Sequence, residues 1–373
     1  EALLLHKENR GKIELKTKVP MNDRDDLSRA YTPGVAEVCK EIAKDVNNAR
    51  EYTLKRNTVA IISDGSAILG LGNLGAHAAI PVMEGKAAIL KTFAGVDAFP
   101  ICLDTQDTEE IIKAVKQIAP VFGAVNLEDI AAPRCFEIEE RLRKELPIPV
   151  MHDDQWGTAT VVLGGIINAL KVTSRGESKD VKIVVNGVGS AGVAVSRLLL
   201  SYGFKNILFC DSKGIIHDKV EGLNKEKIEL ITSSALPGFE GTLADAIKGA
   251  DVFIGVSKAG ALTKEMALTM NSNGIVFALA NPVPEIMPEV AKEAGIAVIA
   301  TGRSDYPNQL NNSLIFPGLF KGVLDADIKQ FEIGMFTKAA LALASHVKNP
   351  TSEQILPTMF DKELVGVIAD SVK

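Results

Sequence analysis

The sequence predicts an α/β fold with two domains, an N-terminal domain with a mainly parallel sheet and a C-terminal domain of the Rossmann type. A chain of 373 residues exceeds what one hydrophobic core usually supports. Short apolar strands alternate with helical patterns, and one glycine-rich motif lies between a strand and a helix. We therefore expect domains over residues 1–157 and 158–330, and C-terminal helices over 331–373 that pack back on the N-terminal half.

Composition and charge are those of an ordinary globular protein, with 46% hydrophobic and 24% charged residues. A net charge of −6 without any basic block argues against a nucleic-acid partner. No apolar run reaches the ~18 residues of a membrane span, and no signal peptide is visible. The four cysteines form no CxxC pair and are expected to be buried apolar residues. We therefore predict a cytoplasmic protein that does not bind membranes.

A tyrosine precedes the first predicted helix, which covers residues 35–45. The sequence Tyr31-Thr32-Pro33-Gly34 is a turn signal that would hold Tyr31 extended and exposed. Most tyrosines in such a place are packing residues with a solvated hydroxyl, so the residue alone does not predict a function.

The first strand, predicted over 58–63, is followed by glycines and then by Lys86. The stretch from Gly70 to Gly75 fits G-x-G-x-x-G, but only a weak strand precedes it, so close backbone packing around a cleft is the preferred interpretation. Lys86 lies at the start of an apolar helical pattern. It can be a functional residue or a surface lysine whose stem is buried.

Two successive predicted strands each end in adjacent carboxylates. The strand at 124–127 runs into Glu128 and Asp129, and the strand at 148–151 leads through His152 to Asp153 and Asp154. Solvated acidic turns would explain each pair alone. Because loops at the carboxyl ends of parallel strands build sites in such folds, the recurrence favours a metal site.

The clearest motif is the strand at 181–186 with the glycine-rich turn and apolar helix that follow it. It is preceded by a small-residue helix at 157–170, expected between the two halves, and by a polar linker at 173–180. The turn would let a pyrophosphate approach the helix N-terminus. The residues expected to bind the dinucleotide here are Gly187, Gly189, Ser190, Ala191 and Gly192.

The acidic residue of this motif favours NAD over NADP. Asp211 ends the next strand, 24 residues after Gly187, where it can accept hydrogen bonds from the adenosine ribose. Lys213 could instead attract the 2′-phosphate of NADP, so NADP stays an alternative cofactor.

Strands at 250–257, 274–280 and 297–300 continue the sheet. Asn281 and Asn311-Asn312 follow where loops can meet a nicotinamide and its substrate, although asparagines also simply complete turns.

Taken together, these segments resemble the malic enzymes of the short bacterial type, and the resemblance covers nearly the whole chain. The matching segments are 31–36, 63–65, 70–75, 83–86, 126–129, 152–158, 280–282 and 311–312. The resemblance implies oxidative decarboxylation of L-malate to pyruvate and CO2, with NAD or NADP as the oxidant and Mg2+ or Mn2+ as the metal. It also suggests a homodimer whose site borrows Tyr31 or Lys86 from the neighbouring subunit.

The resemblance also implies a role for each site residue. Tyr31 matches the general acid, Lys86 the general base and Asp153 the carboxylate that partners the lysine. Glu128, Asp129 and Asp154 match the metal ligands, and a set of carboxylates alone suits a hard divalent ion better than zinc. Asn281 and Asn312 match substrate-binding asparagines, with Asn281 also placed at the cofactor. His152 is expected to be structural.

As the general base, Lys86 must lose its proton near neutral pH. Burial and a nearby cation would lower its pKa, whereas Asp153 would raise it.

One departure from the family concerns Ala67, which stands where long eukaryotic malic enzymes have an arginine. The alternatives are a metal-dependent dehydrogenase or decarboxylase of another small 2-hydroxy or 2-oxo acid, and a non-catalytic NAD-binding protein.

Overall fold

The computed structural model describes residues 1–68, 70–175 and 179–373. Residues 176–178 of the predicted linker therefore lie outside the described residues. The chain begins with short helices that lie on the outside of the molecule, and no side chain of the first or third is buried. Their bounds are α1 (Ala2–Asn9), α2 (Arg24–Ala30), α3 (Val35–Lys44) and α4 (Asn48–Tyr52).

The first sheet is parallel throughout, as predicted. Its described strands are β1 (Thr58–Ser63), β2 (Asp97–Cys102), β3 (Ala124–Leu127) and β4 (Val150–His152), in the order β2-β1-β3-β4. Helices α5 (Ala76–Ile89), α6 (Thr108–Ile118) and α7 (Arg134–Glu145) connect them. Leu127 pairs with His152 in the register of β3 and β4, so the two acidic pairs leave the sheet side by side.

Helix α8 (Asp153–Val172) joins the two sheets and is buried along most of its length. Glycines let neighbours approach it closely: a Cβ on Gly164 would lie 3.2 Å from the carbonyl oxygen of Ala340, and one on Gly165 would lie 3.2 Å from the Phe277 ring. The predicted start at Gly157 was wrong, because Asp153 and Asp154 already form the first turn. Acidic residues are favourable there, next to the positive end of the helix dipole.

The second sheet is the Rossmann-type sheet, with described strands in the order β10-β9-β8-β5-β6-β7. All its neighbours are parallel except the short β7, which pairs antiparallel with β6. The strands are β5 (Ile183–Asn186), β6 (Ile207–Asp211), β7 (Gly214–Ile215), β8 (Val252–Gly255), β9 (Ile275–Ala278) and β10 (Val298–Thr301). The helices are α9 (Ser190–Tyr202), α10 (Lys225–Ser233), α11 (Leu243–Ile247), α12 (Lys264–Ala267) and α13 (Pro288–Glu293).

The last helices are α14 (Phe316–Asp325), α15 (Ile333–His346) and α16 (Leu364–Ser371). Helix α15 packs on α8 and α9, and α16 packs on α14 and α15. Trp156 stacks on Phe336 with ring centroids 4.8 Å apart, which ties the start of α8 to α15. The C-terminal helices thus cover α8, the element that joins the two sheets.

Two local expectations need correction. Lys86 does not begin a helix but lies near the end of α5, which starts ten residues earlier at Ala76. Cys39 is exposed, whereas Cys135 and Cys210 are buried as expected. In the described part of the chain, no helix has both the length and the apolar character to cross a membrane.

Candidate active site

A cleft of about 690 Å³ lies between the ends of the two sheets. Its walls come from α5, from the loops after β3, β8 and β9, from the N-terminal ends of α8 and α9, and from residues 310–316. The sequence-predicted residues that line it are Lys86, Glu128, Asp129, Asp154, Ser190, Ala191, Asn281 and Asn312. Both predicted asparagines therefore face the same space as Glu128, Asp129 and Asp154 and the start of the dinucleotide helix.

Three carboxylates at one end of the cleft could hold a metal ion. Oxygen atoms of Glu128, Asp129 and Asp154 all lie within 4.8 Å of one another. Glu128 and Asp129 are buried, while Asp154 is partly exposed to the cleft. A set of oxygen ligands with this spacing fits a hard divalent cation such as Mg2+ or Mn2+.

Local backbone geometry holds these carboxylates together. Asp129 has a positive φ of 55°, which turns the chain directly after β3. Its N–H donates to Asp154 Oδ2 at 2.8 Å and so links the two acidic loops. Asn126 Nδ2 donates to Glu128 Oε2 at 2.9 Å. These hydrogen bonds fix the positions of the two acidic loops and of the Glu128 carboxylate.

Lys86 lies beside this cluster and is buried. Its Nζ donates to Asp153 Oδ2, lies 3.0 Å from Glu128 Oε1 and sits 4.5 Å above the centre of the Phe316 ring. Burial alone lowers the pKa of Lys86, but Asp153, Glu128 and Asp154 outweigh it and raise the pKa well above its usual value. This arrangement of carboxylates favours the ammonium form of Lys86.

Asp153 and Asp154 face different partners although they are adjacent. Asp153 is fully buried and contacts Lys86, whereas Asp154 lines the cleft. A Cβ on Gly157 would overlap Asp153 Oδ1, so the glycine makes room for this carboxylate one turn later in α8. His152 Nε2 lies 3.2 Å from Asp154 Oδ2. Although burial raises the pKa of Asp154, its contacts with His152 lower it overall.

Sequence reasoning missed Glu139, which supports the turn that carries both aspartates. Its carboxylate is buried and accepts hydrogen bonds from His152 N, Gln155 Nε2 and Trp156 Nε1, at 3.0, 3.0 and 3.2 Å. The pattern of residues 137–145 predicts a charged helix, and nothing in it assigns Glu139 a role. A signal was nevertheless present, because Cys135, Ile138 and Leu142 place Glu139 on the apolar face of the helix.

The dinucleotide motif has the geometry that its glycines require. A Cβ on Gly187 would lie 2.5 Å from Val256 O, and one on Gly192 would lie 1.7 Å from Gly187 O. Gly189 faces open space, where a phosphate could approach the N-terminus of α9. No side chain caps that helix end, so its N–H groups are available to an anion.

Asp211 lies at the end of β6, away from the cleft lining, and has a partner that the sequence did not suggest. Its Oδ1 accepts from Lys213 N at 2.9 Å, and its Oδ2 is 3.1 Å from Lys227 Nζ. The backbone of Lys213, rather than its ammonium group, is therefore what contacts the carboxylate.

Tyr31 is the one predicted catalytic residue that does not join the site in the described chain. Its side chain is 63% exposed and does not line the cleft. It follows α2, in an N-terminal region rich in exposed apolar side chains. These include Leu3, Leu4, Leu5, Leu15, Val46 and Tyr52.

Comparisons with known proteins agree with this architecture. The family model "Malic enzyme, N-terminal domain" matches residues 10–109 and 105–143, and "Malic enzyme, NAD binding domain" matches residues 156–369. A bifunctional malic/malolactic enzyme of Bacillus subtilis is 52% identical over 100% of this chain and 91% of its own length. An NAD-dependent malic enzyme of Geobacillus stearothermophilus is 53% identical over 97% of this chain and 76% of its own.

A solved structure supports the fold over the full length. The crystal structure of an NAD-dependent malic enzyme from Thermotoga maritima superposes with a TM-score of 0.96, at 46% identity, covering 100% of this chain and 99% of that one. The sequence-based family assignment is thus confirmed, and the second half of the chain is an NAD-binding domain. The chain belongs to the malic enzyme family.

Proposed function

We propose that this protein oxidises and decarboxylates L-malate to pyruvate and CO2, with a nicotinamide dinucleotide as the oxidant and a divalent cation bound by Glu128, Asp129 and Asp154. The observation that carries the proposal is the shared cleft, in which a buried lysine–carboxylate pair adjoins three clustered carboxylates and faces the start of the dinucleotide helix. A protein that only binds NAD needs no such lysine and carboxylates together.

Within this reaction Lys86 would accept the proton of the malate hydroxyl, and Asp153 would hold the resulting ammonium group. The dinucleotide supplies a hydride acceptor, and a divalent cation supplies positive charge that polarises the hydroxyl and lowers the pKa of Lys86. Asn281 and Asn312 would orient the substrate by hydrogen bonds. The buried positions of Lys86 and Asp153 support these roles, because a base with one fixed partner keeps its orientation.

Tyr31 is proposed to supply the final proton to the product carbon from the neighbouring subunit of a homodimer. Lys86 already contacts Asp153 of its own chain, so of the two candidates for sharing only Tyr31 needs a partner subunit. A second copy covering α1 to α4 would also bury the apolar side chains exposed there. Dimerisation would thus complete the site.

Cofactor preference, location and domain division are proposed on separate grounds. NAD is proposed as the preferred cofactor because Asp211 ends β6, the strand after the glycine-rich turn, where the acidic residue of such motifs accepts from the adenosine ribose. Lys227 beside it nevertheless offers a cation to a 2′-phosphate. We further propose a cytoplasmic location and a domain division near residue 157, where the first sheet has ended and α8 has begun.

The direct test is to measure NADH formation from L-malate with Mn2+, together with the pyruvate, lactate and CO2 produced. We expect stoichiometric NADH, pyruvate and CO2, and loss of all three on adding a metal chelator. Oxidation without CO2 would instead indicate a plain dehydrogenase. Dinucleotide binding without any turnover across a panel of 2-hydroxy acids would indicate a non-catalytic NAD-binding protein.

A further inference from the structure

One lysine of the cleft has no role in the site described so far. Lys258 follows β8, is exposed and lines the same cleft as Lys86. Its neighbours in sequence are engaged, since Lys248 pairs with Asp245 at 3.2 Å and Lys264 with Glu293 at 2.7 Å. Lys258 forms no ion pair or hydrogen bond with any residue in the described part of the chain, so its ammonium group is available to a ligand in the cleft that this residue lines.

The backbone that presents Lys258 is held firmly. Ser257 N donates to Oε1 of the fully buried Glu285 at 2.8 Å, and Asn186 Nδ2 donates to Ser257 Oγ at 2.8 Å. Glu285 Oε2 also accepts from Ala280 N at 3.0 Å, which ties the loops after β8 and β9 together. Lys258 therefore lines the cleft from a segment of backbone that is anchored on both sides of the cleft wall formed by these loops.

Charge balance in the cleft points to the ligand of this lysine. The lining carries the carboxylates of Glu128, Asp129 and Asp154, while its lysines and arginines in the described chain are Lys86 and Lys258. Lys86 is already paired with Asp153 and Glu128. A dicarboxylate brings two more negative charges, of which a cation at the cluster can contact one end only. Burying the other carboxylate beside acidic groups is unfavourable unless a cation meets it.

Lys258 is not required to bind the phosphates of the dinucleotide, because another group can do so. The N-terminus of α9, a helix of 13 residues, has no side-chain cap and offers its own N–H groups to an anion, with Gly189 open above it. We propose that Lys258 binds the malate carboxylate that lies away from the metal-binding carboxylates and so gives the enzyme its preference for dicarboxylic 2-hydroxy acids. This inference rests on the proposed malate reaction.

The test compares Lys258→Met with Lys264→Met, a control on α12 that removes a lysine outside the cleft. We expect Lys258→Met to raise the KM for L-malate about 10- to 100-fold, the loss expected for one charge-assisted hydrogen bond, with a smaller change in kcat. Lys258→Arg should recover most of the affinity. L-lactate keeps the hydroxyl and one carboxylate but lacks the second, so its inhibition constant should be unchanged in Lys258→Met.

A binding measurement without turnover distinguishes a defect in substrate binding from a defect in cofactor binding. Titration with NADH, followed by nucleotide fluorescence in the absence of malate, should give the same affinity in wild type and Lys258→Met. An unchanged KM for malate in Lys258→Met would overturn the proposal, as would a loss of NADH affinity that accounts for the whole defect. If the wild-type protein itself did not turn over malate, the proposed function would fail instead.

Discussion

Lys86 and Asp153 form a buried pair in which the lysine Nζ donates to an aspartate that has no exposure to solvent. Lys86 comes from the end of α5 and Asp153 from the first residue of α8, so two separate elements must meet to make the pair. Breaking a buried pair from one side leaves an uncompensated charge, which makes both residues sensitive to substitution.

Removing Lys86 should greatly slow the reaction without weakening dinucleotide binding. We expect Lys86→Met to lower kcat for malate oxidation about 100- to 10,000-fold, the usual contribution of a positioned general base. NADH affinity, measured by fluorescence titration, should stay within a factor of about two, since α9 is untouched. Lys91→Met, which removes an exposed lysine paired with Asp97, is the control. Near-normal turnover in Lys86→Met would exclude Lys86 as the base.

The two adjacent aspartates should give different defects. Asp154→Asn should raise the Mn2+ concentration needed for half-maximal activity by about 10-fold or more, because it weakens one oxygen ligand. Asp153→Asn should mainly shift the pH dependence of kcat, because it removes the negative charge that holds the Lys86 proton. Metal titrations and pH profiles of both variants distinguish the roles, and identical defects would refute the division.

Mixed dimers can show whether Tyr31 acts in the site of its own subunit or in that of its partner. Tyr31→Phe and Lys86→Met should each be inactive alone, and mixing the two under conditions of subunit exchange should restore about a quarter of wild-type activity. That result requires Tyr31 to act across the interface, since each mixed dimer then contains one intact site. If the tyrosine acts within its own chain, every site carries one lesion and mixing restores nothing.

Cofactor preference should respond to the lysine that pairs with Asp211. Lys227 Nζ lies 3.1 Å from the carboxylate expected at the ribose, so it is close enough to contact a 2′-phosphate. We expect Lys227→Gln to lower kcat/KM with NADP about 10-fold or more and with NAD much less. Lys213→Gln is the comparison, and a selective NADP defect there instead of in Lys227→Gln would favour the lysine suggested by sequence.

Glu139 should matter for stability and metal binding although it does not line the main cleft. Glu139→Ala would leave three buried donors without their acceptor, which should lower the free energy of unfolding by about 2–4 kcal/mol. The loosened turn should also weaken Mn2+ binding through Asp154. Glu137→Ala, on the exposed side of the same helix, should change neither thermal stability nor the Mn2+ titration appreciably.

Much of this protein could be predicted from local sequence. The strands at 58–63 and 124–127 were predicted with the observed bounds, and the glycine-rich turn before α9 was identified with its fold. These features depend on runs of apolar residues and on glycines that permit close approach, both of which are visible without neighbours in space. The occurrence of acidic pairs after two adjacent strands was visible for the same reason.

What the tertiary structure decided is which side chains meet. Asp153 and Asp154 look alike in sequence, but because α8 begins at Asp153 they point about 100° apart around its axis, one towards Lys86 and one into the cleft. Glu139, Lys227 and Lys258 were missed because their partners or the cleft they face come from distant segments. The exposure of Tyr31 was predicted from its turn signal and is confirmed, but only the folded chain shows that Tyr31 does not line the cleft. Sequence alone thus determined most of the strands, the motifs and the family. The starts of α5 and α8 and the pairing of charged side chains depended on packing and directions in space that no local pattern specifies.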